Sequence, residues 1–187
     1  SMGKILDPNY FFSRERAYLL LGYAESEFLK AEAALRGWAG MELTGTAEEY
    51  YKSGIKASME YYGIANDKAQ AYIDGLKTLT TDKVFEGGDK EKQLEAIITQ
   101  KWMAIFPNGN EGWAEFRRTD YPALANQLIN NSGGDVPMGK NIKRILYPLS
   151  ENSNSYFTSH PELLQVNTQG NRLWWDVADT NDDSGNR

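Results

Sequence analysis

Two glutamates spaced by four, Glu111 and Glu115, stand just before Arg117 and Arg118 in the stretch QKWMAIFPNGNEGWAEFRRTDYP, residues 100–122, which also holds Trp102 and Trp113. A carboxylate pair is the machinery of glycoside hydrolysis, but that chemistry needs the two acids facing each other across a substrate. Four apart on a helix, both lie on one face and cannot straddle a glycosidic bond. The neighbouring arginines offer them charge-assisted hydrogen bonds instead. The expectation is therefore a structural corner made by Trp102, Trp113, Phe116, Arg117 and Arg118, where helices and the following loop lock together.

The other candidates for chemistry are few. His160 is the one histidine, followed directly by a proline and without the positioned companion that acid–base catalysis or metal ligation calls for. Asp179, Asn181, Asp183 and Gly185 are spaced somewhat like a calcium loop, yet the glycine falls seventh rather than sixth and no bidentate glutamate follows. That run reads as an acidic tail. With no cysteine there is no thiolate metal site, disulfide or thiol nucleophile, and no glycine pattern of a phosphate or dinucleotide loop appears. Hence no catalytic residue, cofactor or metal site is expected. Trp174 and Trp175 are the remaining candidates: in an extended segment consecutive side chains point to opposite sides, so one can anchor while the other serves a ligand or partner.

Composition narrows the class. The 187 residues suffice for one domain with a substantial core or two small ones. A net charge of −6 opposes a nucleic-acid or anionic-membrane partner, because phosphates call for clustered Lys and Arg. Five tryptophans and eleven tyrosines make the chain rich in aromatics, which fill cores and also stack on the apolar faces of sugars. No stretch has the length and apolarity of a membrane-spanning helix. Ser1-Met2 reads as the start of a cloning remnant over residues 1–3, which leaves any targeting signal outside the chain.

The elements that must position these residues are helical. Residues 17–36 carry Leu21, Ala24, Phe28, Ala31 and Leu35 at spacings of three and four, ending in Arg36-Gly37 as a helix should. Thr46 and Glu49 form a capping-box pattern that opens a helix to about Tyr62, with Tyr51, Ile55, Met59 and Tyr62 on one side. These two helices are expected to pack antiparallel, an arrangement that resembles one helical hairpin of tetratricopeptide type. Further helices are expected over 66–79, over 89–106 with a stripe of Leu94, Ile98, Trp102 and Ile105, over the short EGWAEFRR, and as a turn near 154–157. From Thr119 the chain is rich in Asn, Gly, Pro and Ser, with an apolar run at 142–149 and a polar acidic tail at 177–187. The fold class is thus all-α, with long irregular loops.

The segments YAESEFLKAEAALRGW (23–38), TAEEYYKSGIKASMEYYGI (46–64), IITQKWMAIFPNGNEGWAEFRRTDYP (97–122), KRILYPLSE (143–151) and LWWD (173–176) resemble, in type and order, the carboxyl-terminal part of the SusD/RagB family. These are nutrient-binding outer-membrane lipoproteins of Bacteroidetes, and the starch-binding-associated SusD-like subgroup is the one resembled. The resemblance implies an α-rich fold with tetratricopeptide-like hairpins over residues 4–176. It also implies non-catalytic capture of an oligosaccharide or other nutrient at the cell surface and its delivery to a SusC-like TonB-dependent transporter. Membrane attachment would be only through a lipid anchor on a cysteine outside this chain. Family members are considerably longer, and no individual ligand residue carries over. The alternative reading is a helical scaffold that docks on the transporter and contacts no ligand.

Overall fold

A computed structural model describes residues 14–15, 19–38, 42–79, 84–86, 88–124, 129–165 and 167–176. Its helices are α1 (Tyr23–Arg36), α2 (Ala47–Tyr61), α3 (Asn66–Leu79), α4 (Lys90–Ala104), α5 (Gly109–Thr119), α6 (Ser155–Ser159) and α7 (Glu162–Gln165), with a 3₁₀ turn at Leu149–Ser153. No strand occurs among the described residues. The chain is therefore all-α, as its periodicity implies. Two compact units divide it, one ending at Gly112 and the next beginning at Trp113. The expected remnant at 1–3 and tail at 177–187 lie outside the described residues.

In the first unit α1 packs against α2 and α4, and α2 also packs against α3 and α4. The first helix is shorter than its periodicity suggests. Gly22 is extended (φ −90°, ψ 154°) and caps α1 without a side-chain bond, so the helix starts at Tyr23 and Leu19–Leu21 stay outside it. Leu21 is 60% exposed rather than part of the buried stripe. Phe28, Ala31 and Leu35 are buried as their spacing requires. At the far end Gly37 takes the left-handed conformation (φ 66°), which lets its amide reach the Ala33 carbonyl.

The capping box of α2 forms as the sequence indicates: the Glu49 amide donates to Thr46 Oγ1 at 3.2 Å and the Thr46 amide to Glu49 Oε2 at 2.8 Å. Mid-helix, Gly54 is required by its neighbour. A Cβ there would lie 2.8 Å from the Phe28 ring, and Phe28 is among the largest fully buried side chains. Glycine's cost in a helix is thereby exchanged for the close approach of α1. The Tyr51 ring meets Phe28 edge-on at 6.3 Å.

Helix α4 corrects the expected stripe. Its buried face is Gln93, Leu94, Ile97, Ile98 and Lys101, whereas Trp102 is 39% exposed. The Lys101 ammonium lies 3.7 Å from Glu25 and 3.6 Å from Glu111. Opposite charges within reach make burial of a cation tolerable, and they turn the helix by one residue from the register that an all-apolar stripe would select. Asp89 caps α4, accepting from the amides of Glu91 and Lys92.

The second unit contains little regular structure beyond the last turns of α5 and the short α6 and α7. Phe116, Tyr121 and Val136 form its apolar centre. Around them three stretches are tied by backbone bonds: the amides of Lys143 and Arg144 both donate to the Gln169 carbonyl, at 2.8 and 3.2 Å, and the Gly170 amide donates to Asp135 at 2.9 Å. Gly170 has no room for a side chain, since a Cβ would sit 2.8 Å from Pro137 and 2.9 Å from the Asp135 oxygen.

Candidate functional site

Helix α5 stops at Asp120, which takes a left-handed backbone (φ 57°), a position where glycine or asparagine is the usual occupant. Its amide donates to Phe116 O at 2.7 Å, and Thr119 Oγ1 bridges Glu115 O and the Tyr121 amide. The carboxylate of Asp120 accepts from Lys143 Nζ at 2.9 Å. Lys143 also faces Asp176 Oδ2 at 3.8 Å, and Asp176 in turn accepts from Arg172 at 2.5 Å. Lys143, Asp120 and Asp176 are only 2%, 6% and 6% exposed. This buried charge network joins the end of α5, the 143–144 stretch and the 172–176 stretch. Sequence reasoning missed it. The residues sat inside quoted segments (RRTDYP, KRILYP, LWWD), but nothing in their local pattern says that a lysine and two aspartates meet.

Beside the network, two indoles lie against the Arg117 guanidinium, Trp113 at 3.9 Å and Trp175 at 5.3 Å. Trp113 Nε1 donates to Ile142 O at 3.0 Å, and Arg117 Nη1 donates to Lys143 O at 3.2 Å. Two buried polar atoms here make no hydrogen bond, Arg117 Nε and Asp176 Oδ2. The first is offset by the aromatic faces over the guanidinium, the second by the nearby Lys143 ammonium.

Of the five expected corner residues, Trp113, Phe116 and Arg117 are brought together within the second unit. Arg118 is there too, donating to Glu115 at 2.7 Å. Trp102 belongs to the first unit, where its indole nitrogen would lie 3.1 Å from a Cβ on Gly112. The charge pairing differs in part from expectation, because Glu111 pairs with Lys101 and Arg117 is held by indoles and a carbonyl. Trp174 is 90% exposed and Trp175 39%; they lie in a turn closed by the Asp176 amide donating to Leu173 O at 2.9 Å, not in the extended segment expected.

A second aromatic feature lies on the surface of this unit. Tyr147, Phe157, Tyr156 and His160 form a row whose successive ring centroids are 5.0, 6.0 and 4.4 Å apart, the last pair stacked at 26°. Tyr156 is 59% exposed and Tyr147 40%. His160 is therefore not a lone side chain, and its ring caps α6: Nδ1 lies 2.9 Å from Tyr156 O and 3.1 Å from Ser159 Oγ. In the first unit, a mostly apolar pocket of about 170 Å³ opens between Leu19, Leu20, Ala57, Tyr61 and Ile105, with Glu25 and Asn108 at its polar edge. It is smaller than the few hundred Å³ usual for ligand sites. Among the described residues no cluster of three or more His, Cys, Asp or Glu could hold a metal ion, and no helix is long and apolar enough to cross a membrane.

A family model described as SusD-like, "Susd and RagB outer membrane lipoprotein", matches residues 6–176. Among solved structures, the chain is similar to a chitin-binding SusD homolog from Flavobacterium johnsoniae, at 36% identity and a TM-score of 0.66 over 84% of this chain and 36% of that one. A SusD homolog from Bacteroides ovatus shares 34% identity with a TM-score of 0.63, over 83% and 37% of the two chains. One from Bacteroides thetaiotaomicron shares 28% with a TM-score of 0.67, over 83% and 38%. No curated protein matches. The chain thus spans a little over a third of the length of these solved relatives. With helices in this order and a family match from residue 6 to Asp176, the chain belongs to the SusD-like family of outer-membrane lipoproteins, a family associated with surface glycan binding in nutrient uptake.

Proposed function

We propose that this chain is part of a non-catalytic protein that binds an oligosaccharide or related nutrient on the outward face of the outer membrane and hands it to a SusC-like TonB-dependent transporter. Attachment to the membrane in this reading is by a lipid outside these residues. The observation that carries the reading is the family match over residues 6–176, and a relative described as chitin-binding, 36% identical, points to carbohydrate as the ligand class. The charge network and the Trp113–Arg117 contact serve here as the structural frame, with Trp102, Phe116 and Arg118 in the same role. Trp174 and Trp175 are candidates for touching ligand, Trp174 by its exposure. Isothermal titration of the chain against chito-, cello-, malto- and xylo-oligosaccharides tests the proposal, and measurable heat with at least one of them is expected. Silence across the panel, with retained binding to a SusC-like transporter, would favour the scaffold reading instead.

A further inference from the structure

We propose that the Tyr147–Phe157–Tyr156–His160 row is the carbohydrate-stacking platform of this chain, a site that rests on the reading of the protein as a glycan binder. Sugar rings present apolar C–H faces that lie against exposed aromatic rings, while their hydroxyls need polar groups at the rim. The row offers both. Tyr156 is 59% and Tyr147 40% exposed although each makes ring contacts. Phe157 stands between them, tilted 58° to Tyr147 and perpendicular to Tyr156, so the two tyrosines offer separate faces to successive sugars, which suits an oligosaccharide.

The rings are also held before ligand arrives, which lowers the ordering cost of binding. The amide of Tyr147 donates to Asn167 Oδ1 at 3.0 Å, and Arg144, whose guanidinium lies 4.5 Å from the Tyr147 ring, donates to the same oxygen at 3.2 Å. Tyr156 lies in α6, capped at its start by Asn154, whose Oδ1 accepts from the Tyr156 amide at 2.9 Å. His160 supplies the specific polar group. A carbonyl can only accept, so Nδ1, 2.9 Å from Tyr156 O, carries the hydrogen. In the neutral ring Nε2 is then an acceptor, fixed beside the stacked face and suited to a sugar hydroxyl. Arg144, the cation beside Tyr147, is buried at 8% exposure and engaged with Tyr147 and Asn167, so it is not presented to a phosphate.

The test uses the chain as it stands with chitohexaose, cellohexaose, maltohexaose and xylohexaose as probes. Titration of the parent identifies the ligand, and NMR of the same unmodified protein follows the ring resonances of Tyr147, Tyr156 and His160. Tyr156→Ala and Tyr147→Ala are expected to weaken binding roughly five- to thirtyfold each, the usual loss for truncating an aromatic anchor, with circular dichroism unchanged. His160→Phe, which keeps the stack but removes the acceptor, should lose less. Parent binding that survives Tyr156→Ala and Tyr147→Ala intact, or that is abolished only by Trp174→Ala, overturns the platform and leaves the glycan-binding function standing. No parent binding to any probe overturns both. Should a variant fail to fold, the ring resonances decide: ligand-induced shifts at Tyr147, Tyr156 and His160 support the site, and their absence on saturation sinks it.

Discussion

Replacing Lys143 by methionine isolates what the buried charge network contributes. Methionine keeps the unbranched stem and much of the volume, so packing around Phe116, whose ring lies 5.3 Å from the lysine nitrogen, changes little. What is lost is the cation shared by Asp120 and Asp176, two carboxylates each 6% exposed. Removing one member of a buried ion pair costs about 3–5 kcal/mol, because the remaining charge stays desolvated. Here Asp176 retains Arg172, so the lower end, about 3 kcal/mol, is expected. For a chain of this length that corresponds to a fall in Tm of about 6–12 °C.

Differential scanning calorimetry measures the shift. Intrinsic fluorescence follows the same transition through Trp113 and Trp175, which lie against Arg117 in the same unit. The double variant Lys143→Met with Asp120→Asn supplies the check on mechanism. Neutralising the carboxylate removes most of the penalty created by the first change, and asparagine tolerates the left-handed backbone at 120, so part of the lost Tm should return. A single variant within 2 °C of the parent, or a double variant no more stable than the single one, would refute the electrostatic account.

Three further outcomes follow from the same geometry. Trp113→Ala removes a half-buried indole, its bond to Ile142 O and its contact with Arg117, and should cost about 2–4 kcal/mol, just below the range for a fully buried Trp; urea denaturation measures it, and an unchanged midpoint would reject the structural role. Gly54→Ala gains about 1 kcal/mol of helix propensity but forces a Cβ to 2.8 Å from the Phe28 ring, so the net result should be destabilisation by about 1–2 kcal/mol; a higher Tm would show that the ring moves aside freely. Burial pushes the Glu27 carboxyl upward, but hydrogen bonds from Lys30 and Ser53 and the Lys30 charge outweigh it and hold the group below its ordinary value of 4.5. A depressed carboxyl adds stability above its unfolded pKa and loses it as pH falls. The Tm difference between the parent and Glu27→Gln should therefore be largest near neutral pH and shrink as pH drops below about 4.5, which a pH series of thermal melts would reveal.

The helices of the first unit were legible because local chemistry decides them. Thr46 and Glu49 satisfy each other's amides within one turn, Gly37 closes α1 through its own backbone, and α3 occupies the range its pattern marks out. Helix α4 was misread by one residue of rotation. Leu94 and Ile98 fit a stripe continuing either to Trp102 or to Lys101, and hydropathy alone selects the tryptophan. The choice is made by Glu25 and Glu111, which belong to other helices. Leu21 was misplaced for the opposite reason: the helical spacing persists through Gly22, but the backbone there is extended. Strand-like alternation does not account for Trp174, which sits with Trp175 in a turn closed by the Asp176 amide on Leu173 O. The His160 stack was not legible because it depends on α6 placing Tyr156 and His160 four apart on one face.

The polar texture after Thr119 reads in sequence as loop, and the structure explains how such a stretch stays ordered without a sheet or bundle. Buried backbone groups must be bonded, and here side chains take the part that a ladder would play. Asn130 and Ser132 bond the Val136 peptide on both sides. Asn167 accepts from the Tyr147 amide and from Arg144, and Gln169 accepts two consecutive amides through its carbonyl. The Asn, Ser and Gly residues that make the segment look disordered are therefore the ones that fix it, because short polar side chains compete well for nearby backbone groups. A surface built this way can present rings such as Tyr147 at defined positions with a low entropic cost on binding. That property suits recognition of a flexible glycan.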